Sequence, residues 1–518
     1  MKKYLLLLSA LLQMLTLSGQ TTGSWGDQGN GTYINPILNA DYSDPDVIRV
    51  GNKYYMVCSE FHFMGIPVLE SDDMVNWKII ARIYDRIALP GYDTNEKYGR
   101  GSWAPAIRWH ENKFWVYFCT PDEGLFMSSA PKAEGPWESL TQVKEIAGWE
   151  DPCPFWDEDG TGYLGHSKVG AGPIIIHKLS PDGKSLLDDG LTVYTGPVAE
   201  GTKIHKWNGF YYLSIPEGGV ERGWQTILRS KSIYGPFEKK VVLEKGSTPI
   251  NGPHQGSIVD TPEGEWWFYH FQSDGAMGRV VHLQPMRWQE DWPVIGVDID
   301  RNGIGEPVYV WKKPAIKGIF NISAPQSDDD FNSVTPGLQW QWNHNPVKDL
   351  WSMAVKPGYL SLTASKSENF IRARNTITQK VMGTTGEVVT EMDVTGMAAG
   401  QKAGLCSMGG RNNNLVGIIK KESSLFVFVE NNGKIVSENQ FTGKKIYLKA
   451  VLDIRGNNNQ FFFSTDNKKY NPIGETFITS AGYWKGNRIG LYSYNEKNDG
   501  GIASFNWFTY YYDGPKGK

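Results

Sequence analysis

Polar heads and dense apolar runs alternate along residues 43–270 in a phrase that returns five times. The copies are SDPDVIRVGNKYYMV from Ser43, WAPAIRWHENKFWVYF from Trp103, EDPCPFWDEDGTGYLG from Glu150, AEGTKIHKWNGFYYLS from Ala199 and PHQGSIVDTPEGEWWFYH from Pro253. Each is a short run, a polar turn and a second run rich in aromatics, which reads as a β-hairpin. Further runs follow turns such as EGPW (Glu134–Trp137) and YGPF (Tyr234–Phe237), where Gly-Pro before an aromatic starts a new strand. The heads recur after 60, 47, 49 and 54 residues, the period of propeller blades built from four strands. No stretch beyond the N-terminal segment sustains a 3.6-residue apolar period, so helices are expected to be minor. The spacing predicts an all-β chain with a five-bladed β-propeller over residues 30–315, its last blade completed by the strand-like stretch from Pro293 to Trp311.

A linker over residues 316–327 ends that pattern. From residue 328 to 518 alternating runs such as GYLSLTA, EVVTEMDV, SLFVFVE and KIYLKAVL stand between Gly/Asn/Lys turns, the pattern of a β-sandwich. At the other end two lysines precede an apolar run from Tyr4 to about Leu17 and small residues at Ser18 and Gly19. This reads as a signal peptide over residues 1–19, too short for a membrane span. No cysteine follows it that could carry a lipid, so the expected location is the periplasm or outside the cell. The four cysteines, Cys58, Cys119, Cys153 and Cys406, lack metal-ligand spacing; Cys58 and Cys119 fall in apolar strand patterns and read as small buried residues in preference to a disulfide. A net charge of −4 without basic stripes argues against nucleic acid as a partner.

Aligned on their aromatics, the five heads place Asp44, Ala104, Asp151, Glu200 and His254 at one equivalent position. The first strand of a blade lies against the propeller axis, so these side chains converge at the mouth of a central pocket. One Asp before Pro is by itself an ordinary turn or cap residue. Three carboxyls in one partly buried space repel one another and resist ionisation, and environments that drive their pKa values apart give them opposite tasks at one pH. The set therefore points to acid–base catalysis.

The stretch NPILNADYSDPDVIRVGNKYY, together with EDP, AEG, GSWAP (Gly101–Pro105), EGTKIHKWNGFYYL and GPHQG, resembles glycoside hydrolase family 43 from Asn35 to about Gly296. The tail from DDDFNS (Asp328–Ser333) resembles the concanavalin-like sandwich appended to many members. The resemblance implies a five-bladed propeller that removes terminal arabinose or xylose from plant polysaccharides with inversion. It makes Asp44 the general base, Glu200 the general acid and Asp151 the carboxylate that orients Glu200 and keeps it protonated. It makes Arg279 a pocket arginine, places Phe61 and Trp103 as walls of the sugar site, and sets a structural calcium or sodium ion near His254. An imidazole packed at the channel is the plainer reading of His254, since calcium prefers oxygen ligands. No organic cofactor is implied.

GPHQG and the long loop IALPGYDTNEKYGRGSW resemble the arabinofuranosidase-containing branch of the family more than typical xylosidases, which implies exo-acting α-L-arabinofuranosidase activity on arabinoxylan, arabinan or arabinosylated xyloglucan, with β-xylosidase or dual activity as the alternative. Two further readings stay open. A retaining fructan hydrolase would carry Asn-Asp-Pro, Arg-Asp-Pro and Glu-Cys heads, which the sequence matches only in fragments. A propeller that binds glycans without cutting them conflicts with the intact acid set. The sandwich is expected to pack on the propeller and lend a loop to the pocket rim.

Overall fold

The computed structural model describes residues 23–62 and 65–516; the signal peptide read in residues 1–19 lies outside them. Twenty strands form five four-stranded antiparallel sheets, each ordered as in the sequence. The innermost strands of blades one to five are Asp46–Val50, Trp103–His110, Trp149–Trp156, Lys203–Trp207 and His254–Asp260. Among the described residues the only helices are two single turns, Gly275–Met277 and Lys348–Leu350, and no helix is long and apolar enough to cross a membrane. Blade five ends with Trp292–Ile295, and Val310–Lys312 instead pairs with Thr32–Ile34 in a separate ribbon. The stretch from Pro293 to Trp311 thus splits between two sheets.

Side chains on the inner strands stitch each blade to the next. Asp46 accepts the Ile107 N–H at 2.8 Å, the Cys153 sulfur accepts that of Ile204 at 3.4 Å, and Ser257 Oγ accepts that of Val47 at 2.8 Å. The last of these closes the ring, since it joins blade five to blade one. Arg108 ties blade two to both neighbours, reaching Asp46 at 2.6 Å and the Cys153 sulfur at 2.8 Å. All four cysteines are buried and free.

The C-terminal domain is two sheets packed face to face, antiparallel except where the short strand Ser365–Lys366 runs parallel to Arg488–Asn495, and the burial of its strands alternates as that architecture requires, for example over Lys445–Asp453. Its core continues into the propeller without a break: Tyr42, Trp77 and Met277 of the propeller share one apolar cluster with Met382, Ile489 and Tyr510 of the sandwich. Backbone bonds cross the join from Gly383 to Asn39 (2.9 Å) and from Asn487 to Ala276 (2.8 Å).

One buried charge sits at the centre of that interface. Glu60, fully buried in the propeller, bonds Lys380 at 2.8 Å and Lys485, both from the sandwich. Burial opposes its ionisation, but Lys380, Lys485 and Arg488 outweigh that and hold the carboxyl at about 2. Lys485 shares its carboxylate with Lys380, and burial pushes the Lys485 ammonium down to about 7. Removing the carboxylate takes away the anion that Lys380 and Lys485 share, a defect of about 3–5 kcal/mol. Glu60→Gln should therefore lower the melting temperature at neutral pH. Because the folded pKa lies below the unfolded value of 4.5, the stabilisation is present above that value and lost as pH falls toward about 2. Thermal melts should show wild type converging on Glu60→Gln across that window; parallel curves would refute the assignment.

Candidate active site

The heads owe their geometry to a left-handed kink in the backbone. Asp44, Ala104, Asp151, Gly201 and Gln255 have φ of 53°, 36°, 57°, 63° and 44°. Two residues beyond each kink the strand is in register with its partner: Asp46 with Val57, Ala106 with Tyr117, Cys153 with Gly165, Lys203 with Ser214 and Ser257 with Tyr269. The expected equivalence is therefore wrong by one residue in two blades. Glu200 and His254 precede their kinks, and their counterparts are Ser43, Trp103 and Glu150. Three consecutive aromatics, Phe210, Tyr211 and Tyr212, let the sequence alignment of blade four slide, and the blade-five hairpin has a five-residue turn between Asp260 and Trp266 where that of blade one has two residues between Val50 and Lys53. The true arrangement has two levels: Asp44 and Asp151 on the kinked residues, Glu150, Glu200 and His254 one residue nearer the mouth.

Asp44, Asp151 and Glu200 nevertheless line one cavity of about 350 Å³. Asp44 is 4% exposed and accepts hydrogen bonds from Ser43 Oγ (2.8 Å), Ser59 Oγ (2.5 Å) and Arg279 Nη1 (3.1 Å). Asp151 accepts the Gly201 N–H at 2.7 Å, so it fixes the backbone next to Glu200. Glu200 Oε1 lies 2.9 Å from His254 Nε2. Glu150, Asp151 and Glu200 form a tighter group, with one oxygen from each within 4.8 Å of the others. Burial first, and then the charges of Glu200 and Asp44, push the Asp151 carboxyl up; burial and Asp151 do the same to Glu150. Both carboxyls therefore hold their protons to higher pH than a free acid does.

The walls are aromatic. Phe61 meets Trp103 edge-on at 5.6 Å, and the Arg279 guanidinium lies over Phe61 at 5.3 Å and over Phe271 at 4.8 Å. Phe61, Trp103 and Arg279 all line the cavity, as the sequence led us to expect. His254 lines it too, but Nε2 faces Glu200 and Nδ1 is buried without a partner. An imidazole beside one carboxylate is a poor fit for calcium, which takes six to eight oxygens.

Of the cavity residues not legible in the sequence, three carry polar or aromatic side chains. Glu150 was hidden by the slipped register, and Gln255 by its neighbour His254. Trp484 comes from the sandwich, at the tip of a hairpin whose two central residues, Tyr483 and Trp484, have φ of 55° and 71°. That turn suits the twist of a hairpin but is costly for bulky residues, and the propeller holds it. Tyr483 stacks on Tyr98 at 5.5 Å, Trp484 meets Trp103 at 6.2 Å, and Lys485 reaches Glu60. The expected loop at the pocket rim is this hairpin.

Comparison with known proteins bears on the whole chain. The family model described as glycosyl hydrolases family 43 matches residues 33–293, and that of the beta xylosidase C-terminal concanavalin A-like domain matches residues 328–511. A Xylanibacter ruminicola protein named as a candidate beta-xylosidase is 54% identical over 472 residues, covering 90% of this chain and 88% of its own. A beta-xylosidase of Formosa agariphila is 39% identical over 553 residues, covering 96% and 93%. Among solved structures, a GH43 protein of Bacillus licheniformis superposes with a TM-score of 0.82 at 27% identity, over 93% of this chain and 99% of that one.

The crowding of carboxyls has a measurable cost. Asp151 is raised from 3.8 to about 7, so folding penalises its ionised form; the native state is favoured below the unfolded pKa and loses that advantage as pH rises through about 7. Asp151→Asn abolishes the penalty. Its melting temperature should exceed that of wild type by about 2 °C or more at pH 8 and by less at pH 4.5. A difference independent of pH would show that Asp151 is not under this strain.

Proposed function

The chain belongs to glycosyl hydrolase family 43, and from that premise we propose an exo-acting, inverting β-xylosidase that removes the terminal xylosyl residue of xylan-derived oligosaccharides. The observation that carries this reading is the acid set on two levels of one small cavity, in a chain 54% identical to a relative named for β-xylosidase activity. The arabinofuranosidase reading gives way for a physical reason. GPHQG shapes the kinked head of blade five, where a side chain at Gly256 would collide with the Tyr269 carbonyl, so the motif serves the fold whichever pentose is bound. The long loop mostly binds the sandwich: Ile87 bonds Asn345, and Tyr98 bonds the Ile371 carbonyl at 2.8 Å. Trp103, His254 and Gln255 from these stretches line the cavity, but nothing else in either stretch tells one pentose from the other.

In this mechanism Asp44 takes a proton from a water poised at the anomeric carbon, while Arg279, Ser43 and Ser59 orient its carboxylate. Glu200, on the opposite side and nearer the mouth, gives a proton to the departing oxygen. Acid and base of an inverting enzyme stand roughly 6.5–9.5 Å apart so that water fits between them. Asp44 belongs to the deeper level, outside the tight group around Glu200, which accords with that need. Asp151 acts through Glu200, by fixing the Gly201 N–H. Phe61, Trp103 and Trp484 offer apolar faces to the pentose. Export by the N-terminal signal would bring the enzyme to oligosaccharides from xylan outside the cytoplasm.

Assays of purified protein test the reading directly. The kcat/KM on 4-nitrophenyl β-D-xyloside should exceed that on the α-L-arabinofuranoside at least tenfold; the reverse order would restore the arabinofuranosidase reading. Asp44→Asn and Glu200→Gln should each lower kcat on xylobiose about 10²–10⁴-fold, with melting temperatures near wild type. Either variant keeping a tenth of its turnover would remove that residue from its role. Trp484→Ala should raise KM more than it lowers kcat, since the indole binds sugar without moving protons.

A further inference from the structure

The proposed mechanism leaves one buried carboxyl of the cavity without a task. Glu150 is 4% exposed and lines the pocket, yet it belongs neither to the base nor to the acid. It occupies in blade three the position that Glu200 occupies in blade four, one residue before the kink, and so stands at the level of the proton donor. The two are neighbours in the ring, with oxygens within 4.8 Å. Its Oε1 accepts the Ala171 N–H at 3.3 Å and the Ser167 hydroxyl at 3.5 Å, which leaves the second oxygen for the cavity. Ala171 is itself held in the left-handed region, φ 59°, on a loop that borders the same cavity.

A buried anion needs a cation or several donors. The charges that bear on Glu150 are those of Asp151 and Glu200, both negative, and its two hydrogen bonds are long. The group therefore favours its neutral form, and a neutral carboxyl has what an ionised one lacks, an O–H to donate. A structural role would be served better by an amide or an apolar residue. A carboxylic acid facing a sugar cavity serves recognition of a hydroxyl.

We propose that Glu150 is a substrate-binding residue, donating a hydrogen bond to a hydroxyl of the sugar unit on the leaving-group side of the scissile bond. The level decides which unit. A glycosidic oxygen placed against Glu200 puts the departing xylosyl unit near the mouth, beside Glu150 and the loop over Val169–Ala171, whereas Asp44 and Arg279 surround the deeper ring. The inference rests on the β-xylosidase reading and goes beyond it, because it makes this carboxyl a selector for sugar over other leaving groups.

Two substrates separate the possibilities: xylobiose, whose leaving group carries hydroxyls, and 4-nitrophenyl β-D-xyloside, whose leaving group has none. Glu150→Ala should lower kcat/KM on xylobiose tenfold or more and change that on the nitrophenyl xyloside less than threefold, which also shows that the variant folds. Glu150→Gln, which retains an N–H donor, should recover xylobiose hydrolysis to within about threefold of wild type. The alkaline limb of the pH profile on xylobiose should stay in place in both variants. Equal losses on the two substrates, or no loss on either, would overturn the inference. A displaced alkaline limb would also overturn it, by showing that Glu150 acts on the proton donor. Wild-type protein that leaves xylobiose intact but cuts arabinofuranosides would sink the β-xylosidase reading itself, and this inference with it.

Discussion

The five left-handed kinks at the blade heads are the constraint on which the site depends. A non-glycine residue in that region costs on the order of 1 kcal/mol or more, and four of the five heads accept this cost at Asp44, Ala104, Asp151 and Gln255. The ring holds them there. Each kink is followed at once by an inner strand that is hydrogen-bonded within its blade, and Asp46, Cys153 and Ser257 reach across to the next blade. What the kinks achieve is a change of side-chain direction over one residue, so that successive positions both face the cavity. Five blades then supply two tiers of functional groups where a regular strand, alternating faces, would supply one.

That arrangement explains why acids so close together can differ in task. Asp44 is surrounded by donors and a guanidinium, which suits an anion. Glu150 and Asp151 are crowded by like charge and burial, which suits proton retention. The sandwich completes the design from outside the ring. Its hairpin delivers three consecutive side chains to three places: Tyr483 to a stacking partner, Trp484 to the cavity, Lys485 to Glu60. Because Phe61 follows Glu60 in the chain, the buried ion pair registers the two domains within one residue of a pocket wall.

Much of this was legible in the sequence. Hairpin phrases at a blade-like period gave the propeller, and short alternating runs gave the sandwich. The acids stood out because Asp44 and Asp151 sit in repeated contexts, and Phe61, Trp103 and Arg279 followed from the family pattern. What escaped notice did so for local reasons. The tier of Glu200 depends on a backbone dihedral, which Gly201 permits without dictating, and the same kink at Gln255 is announced by no residue type. Glu150 looked like the flank of Asp151 until the register showed it facing the cavity. Trp484 lies far along the chain from the heads, and nothing in GYWKG says which surface the hairpin meets. GPHQG was a poor guide to the pentose because it answers to the demands of a kinked strand.

The central claim is that base and acid act from separate tiers on opposite sides of the anomeric carbon, with a water between them. Proton NMR of the first sugar released from a β-xyloside, recorded before mutarotation, tests this most directly. The account predicts that α-D-xylose forms first; β-D-xylose as the initial product would contradict it.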